Sequence, residues 1–132
     1  MRRHHVRPEG LPPTNGYSHI VEFSGRLLVV SGQVPLDAEG QLVGADDPEA
    51  QIRQVFKNLR TALASSGAGF EDIVKITVFL TDLADLEAFR RVRDDYVTGD
   101  TAPASSLVRV AGLVNPAFRV EVEALAVVPG SS

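Results

Sequence analysis

Apolar and polar positions along this chain follow two periods, one of two residues and one near 3.6, in alternating blocks. Over residues 73–81 the side chains of Val74, Ile76, Val78 and Leu80 share one strand face, with Ile73, Lys75, Thr77 and Phe79 on the other. One side reads as core and the other as mixed. Two short β-type runs within residues 19–31 flank Ser24-Gly25, and the second is apolar on both faces, which predicts a strand covered on both sides. Gly32 and Pro35 end it, and residues 37–44 form a turn-rich loop. A helix then begins with Asp47 as cap and Pro48 in the first position, and Ile52, Val55, Leu59 and Leu63 recur at helical spacing until Gly67. Asp82 and Asp85 mark a second helix start, with Leu83, Leu86, Phe89, Val92 and Tyr96 as its buried stripe before Gly99. Residues 105–111 and 118–128 supply two more strands. The predicted order is β-β-α-β-α-β-β, an α+β domain with one mixed sheet and both helices packed on one face.

That arrangement leaves the second sheet face without cover. The last strand sends Val120, Val122, Ala124 and Ala126 toward the helices and Glu121, Glu123, Leu125 and Val127 to the other side. Together with Phe79, Leu107 and one face of residues 27–30 they form an apolar patch larger than monomers usually expose, so a homo-oligomer is expected to bury it. The same face is expected to collect Glu121, Glu123, Arg109, Ser105, Thr77 and Lys75. A polar cluster in an apolar, subunit-bounded recess suits a small ligand. Ion pairs of the glutamates with Lys75 or Arg109 at the interface account for it equally well.

Composition narrows the classes. The chain has 132 residues, 44% of them hydrophobic, enough for one domain over 1–132 and no second. Its net charge of -4 disfavours nucleic acid and acidic membrane surfaces. Cysteine is absent, which removes disulfides, thiol nucleophiles and thiolate metal sites, and a cytoplasmic location is the default expectation. Residues 1–15 read as a flexible N-terminal segment, proline-bearing and without the apolar run of a signal peptide. No stretch approaches the roughly 20 apolar residues of a membrane span. His4 and His5 read as a solvated tail rather than metal ligands. The serines and histidines form no acyl-transfer motif, and Gly67 and Gly69 follow a helix instead of opening one, so they are a helix stop and not a phosphate loop. Arg90, Arg91 and Arg93 stand beside Glu87, Asp94 and Asp95, as on a solvated helix face.

Five segments in order resemble the Rid (YjgF-type) proteins, also known as endoribonuclease L-PSP or translation-inhibitor-like proteins. They are Asn15-Gly16-Tyr17-Ser18-His19, Val30-Ser31-Gly32-Gln33-Val34-Pro35, Asp72-Ile73-Val74-Lys75-Ile76-Thr77-Val78-Phe79-Leu80-Thr81-Asp82-Leu83, Pro103-Ala104-Ser105-Ser106-Leu107-Val108 and Val120-Glu121-Val122-Glu123-Ala124-Leu125-Ala126-Val127. The resemblance implies a chorismate-mutase-like fold and a homotrimer with clefts between subunits. It also implies hydrolysis of reactive enamines or imines to 2-keto acids and ammonia, without metal or organic cofactor.

Carried over by position, Tyr17, Ser31 and Gly32 would line the cleft, the backbone of Leu107 would hold substrate or water, and Glu123 would accept a proton from the attacking water, with Glu121 a structural neighbour. Where imine-deaminating members place an arginine on the substrate carboxylate, this chain has Ser105, which cannot make a bidentate charged contact. The usual asparagine of the second helix is Arg90 here. Arg90 or Arg109 could therefore carry a displaced anion site. The leading expectation is a Rid-like deaminase of non-standard specificity; a non-catalytic small-molecule-binding trimer is the alternative and a ribonuclease a remote one.

Overall fold

Asp47 starts the first helix as its sequence requires. The computed structural model describes residues 1–130, and in it Asp47 accepts a hydrogen bond from Ala50 N at 3.1 Å through Oδ1. Pro48, which has no N–H to leave unpaired, opens helix α1 (Pro48–Ala64). Its inward stripe of Ile52, Val55, Phe56, Leu59 and Leu63 is buried. Asp82 caps a single 3₁₀ turn, Leu83–Asp85, and helix α2 (Leu86–Tyr96) follows. Leu83 thus falls outside the helix period and is exposed, while Ala88, Phe89 and Val92 form the buried stripe.

The strands are β1 (Arg2–His5), β2 (Ile20–Phe23), β3 (Arg26–Gln33), β4 (Ile73–Leu80), β5 (Ala104–Arg109) and β6 (Val120–Val128). Four of them make the main sheet in the order β3-β6-β4-β5, with β4 and β5 parallel and the other pairs antiparallel. Ile76, Val78, Leu80, Val122 and Ala124 face the two helices and close the core. Expectation and structure agree on this α+β layering. They differ on β3: Leu28 and Val30 turn toward the helices, but Leu27 and Val29 are 48% and 76% exposed, so the strand is covered on one side only. Val108 joins them at 45% exposure, whereas Leu107, expected on this face, packs against the core.

Within the N-terminal segment, expected from its composition to be flexible, Arg2–His5 is a strand. Arg2–His5 pairs antiparallel with Ile20–Phe23 in a two-stranded ribbon, which also removes β2 from the main sheet. Arg2 anchors the ribbon by donating to Glu71 O at 2.6 Å, Val127 O at 3.0 Å and Asp72 Oδ1 at 3.0 Å. His4 Nδ1 donates to Ala102 O. Backbone pairing and cations on carbonyl oxygens hold this ribbon, and neither leaves an apolar period to read.

At the opposite end, Arg119 enters β6 through a bidentate pair with the buried Asp85, at 2.8 and 3.0 Å. That hydrogen bond raises the Arg119 pKa above the ordinary arginine value. Gln51, fully buried on α1, accepts from Arg119 N at 2.8 Å and donates to Gly44 O and Ala117 O. The two side chains bind the start of β6 to both helical layers. Replacing Asp85 by alanine removes the partner of a half-buried cation and is expected to cost about 2 kcal/mol in urea unfolding, with Asp85→Asn losing less. An unchanged midpoint in Asp85→Ala would show that the pair does not hold the strand.

Candidate functional site

Parallel pairing decides where the polar residues of β5 go. Ile76 stands opposite Ser105, Val78 opposite Leu107 and Leu80 opposite Arg109, so these β5 residues share the helix-side face. Ala104, Ser106 and Val108 align with Lys75, Thr77 and Phe79 on the open face. Lys75 Nζ confirms the parity by donating to Ser106 Oγ at 2.8 Å. The expected single cluster is therefore split. Ser105, Leu107 and Arg109 do not join Glu121, Glu123, Thr77 and Lys75; they lie on the other side of the sheet.

On the helix side, β5 and α2 enclose a recess of about 290 Å³ lined by Asn15, Tyr17, Arg90, Arg93, Ser105 and Leu107, with Leu86 and Phe89 as its apolar floor. No acidic residue lines it. Arg93 is buried and committed: it donates to Asn15 O and Asn15 Oδ1, each at 3.0 Å, and pairs with Asp94. Arg90 is half-buried and makes no side-chain hydrogen bond or ion pair among the described residues. Arg109, at the exposed end of β5, is not part of the lining. Of the two arginines expected near Ser105, the recess holds Arg90.

The carboxylates lie elsewhere. Glu121 and Glu123 are on the open face of β6, opposite Phe79 and Thr77. Glu123 is exposed and lines a recess of about 280 Å³ with Lys75, Thr77, Val29 and Leu125. Glu121 is half-buried, and its carboxylate lies against Gly32, where any Cβ would overlap it. The register of β3 on β6 shifts between Val30 and Gln33, so Ser31 and Gly32 form an irregularity that bends the strand edge. The Gly32 backbone thus lies against Glu121, whereas in the ladder the Ser31-Gly32 irregularity stands opposite Glu123, the single residue between Ala124 and Val122. The signal that could have separated them is glycine itself, which permits close approach of a neighbouring group. Among the described residues no group of three or more acids and histidines is placed to hold a metal ion.

Two sets of residues result. Ser31 and Gly32 belong to one edge strand of the sheet and Ser105 and Leu107 to the other, three strand spacings or about 14 Å away. One small ligand cannot touch both sets in a single chain.

The family model for endoribonuclease L-PSP matches residues 8–128. The chain belongs to this family, the Rid family. It is 36% identical over 129 residues to protein DfrA of Myxococcus xanthus, covering 96% of this chain and 97% of that one. It is 37% identical over 105 residues to the 2-iminobutanoate/2-iminopropanoate deaminase of Salmonella typhimurium, covering 78% and 80%. Among solved structures, the Rid-family protein YyfB of Yersinia pestis superposes with a TM-score of 0.87 at 36% identity, covering 96% of this chain and 98% of that one. The layering of two helices on a mixed sheet is thus the Rid fold, and relatives in the family are named as deaminases of imines.

Proposed function

We propose that this Rid-family chain is a hydrolase that releases ammonia from small enamines or imines bearing a carboxylate, working in clefts between the subunits of a homotrimer. The observation that carries the reading is Arg90: an unpaired, half-buried guanidinium in an acid-free recess beside Ser105, Leu107 and Tyr17. Serine at 105 leaves room at the recess wall, and Arg90 supplies from the helix the cation that Ser105 cannot. A charged, forked donor suits a carboxylate. The anion site has moved from strand to helix, and a shifted substrate specificity goes with it.

The water-activating carboxylate comes from the other residue set, and Glu121 is better placed for it than Glu123. It lies against Gly32, which the family resemblance puts in the cleft, while Glu123 faces Lys75 and Thr77. As water adds to the imine carbon, the carboxylate accepts one of its protons and passes it to the imine nitrogen, so that the carboxylate is regenerated. The resulting carbinolamine passes its hydroxyl proton to nitrogen and expels ammonia, leaving a 2-oxo acid. No cofactor is called on. Because Glu121 is on the open face of the sheet and the Arg90 recess on the helix side, a second copy has to bring its Glu121 to the first copy's Arg90 recess. The exposed Leu27, Val29 and Val108 give that copy an apolar surface to bury.

Assembly is checked by light scattering at micromolar concentration, where the mass should be three times the 14.2 kDa chain. Val29→Glu, on the exposed strand face, should lower that mass while leaving the circular dichroism of the fold unchanged. A wild-type mass of one chain would defeat the intersubunit cleft.

Activity is checked by generating 2-iminobutanoate with a dehydratase and following its conversion. Arg90→Gln should reduce kcat/KM about 30-fold or more, corresponding to loss of a charged contact of about 2 kcal/mol. Ser105→Arg in that background should restore part of it. Glu121→Gln should lower kcat by about 10² to 10⁴, the usual contribution of a general base, and Glu123→Gln only a few-fold at most. Wild type no faster than buffer, together with tight binding of 2-oxobutanoate, would mark a binding trimer instead.

A further inference from the structure

Arg93 has a different task from Arg90, although they are one turn apart on α2. Residues 15–18 form a bend at the edge of the recess that is held at two points. On one side Ser18, almost fully buried, donates from its backbone N to Pro103 O at 2.9 Å and from Oγ to Ala102 O at 2.6 Å. On the other, the Arg93 guanidinium grips the turn before Tyr17, bonding both the carbonyl and the side-chain oxygen of Asn15. Gly16 makes the grip possible. Its φ of +72° is a left-handed conformation, and a Cβ there would overlap the guanidinium. Tyr17 stands between the two anchors and forms part of the recess wall.

We infer that Arg93 is the positioning residue of the site, a buried strut that fixes the Asn15-Gly16 turn and thereby holds Tyr17 over the recess where Arg90 takes the ligand anion. The inference rests on the proposed cleft for its catalytic consequence, but the placement of Tyr17 stands apart from it. Arg93 itself is spent on Asn15 and Asp94 and does not contact the ligand. Only a fork with several donors can hold two oxygens of one residue and a neighbouring carboxylate at once; an ammonium can keep the Asn15 carbonyl and little else.

The chain has two tyrosines and no tryptophan, so Tyr96→Phe leaves Tyr17 as the sole fluorophore of its class. Tyr96 stacks on Phe56 at 5.1 Å, and its ring is what that cluster uses. In this background Arg93→Met should raise acrylamide quenching of Tyr17 toward that of a free tyrosine amide and lower its anisotropy. Arg93→Lys should fall between. Gly16→Ala, which displaces the turn from the loop side and leaves the core untouched, should reproduce the change if Arg93→Met does not fold. In the 2-iminobutanoate assay the same variants should lower kcat about 100-fold, the order expected when a reacting geometry is misplaced by about 1 Å, with KM less affected because Arg90 remains. Unchanged quenching in folded Arg93→Met and Gly16→Ala overturns the inference whatever the activity. An inactive wild type with the predicted fluorescence changes would sink the proposed reaction and leave the strut standing.

Discussion

Two helices can cover one face of a four-stranded sheet and no more, and the rest of this molecule follows from which residues the pleat sends to that face. Strands β4 and β6 fix the parity, since Ile76, Val78, Val122 and Ala124 are packed against α1 and α2 with almost no exposure. Once they are committed, every neighbour in register is committed too: Ser105 and Leu107 to the helix side, Glu121 and Glu123 to the open side. The polar chemistry of the chain is thereby divided between two faces, and the open face keeps an apolar surface of Leu27, Val29 and Val108 for another molecule to bury. The split of the polar residues and the exposed apolar face share one cause.

What was legible in the sequence is what local chemistry controls. The Asp47 cap, the Pro48 start and the apolar stripe of α1 appear in the structure as read, because cap, proline and period all act within one helix. The alternation of β4 and β6 was equally plain, since one side of each is strictly core. Strand β5 was not, and its parity was read wrongly. An edge strand of Ala104, Ser105, Ser106, Leu107, Val108 and Arg109 has no buried stripe of its own, and its facing is set by the parallel register with β4, some thirty residues away in sequence. The ribbon of Arg2–His5 escaped for the same reason: its partners are backbone groups and carbonyls supplied from distant segments. The contact of Glu121 with Gly32 lies at an irregularity of β3 that no periodicity announces.

The family description speaks of a ribonuclease, and the placement of the histidines bears on that. General acid–base cleavage of RNA by histidine needs two imidazoles facing one phosphate. Here His4 is turned to Ala102 O, His5 to Glu22 and His19 to Pro12 O, each occupied by a different partner. Net charge leads to the same place by another route. The chain is acidic overall, yet its recess is lined by the Arg90 guanidinium, free of any acid partner among the described residues, so the positive potential is confined to a volume suited to a small anion rather than spread along a groove.

The proposed move of the cation from a strand to a helix changes what the site depends on. A clamp on β5 would be oriented by the sheet, whose pairing with β4 is rigid. A clamp at Arg90 is oriented by α2, and residues three apart on a helix share a face. Arg90 and Arg93 are such a pair, one open to the recess and one closed on Asn15. Under the proposed reading, the helical turn between them sets both the anion position and the height of Tyr17 above it. Any tilt of α2 would move the two together and preserve their spacing, whereas a strand-borne arginine would leave Tyr17 to be placed independently. The buried Val92 and Phe89 that seat this turn in the core are thus as much a part of the recess as the side chains that line it.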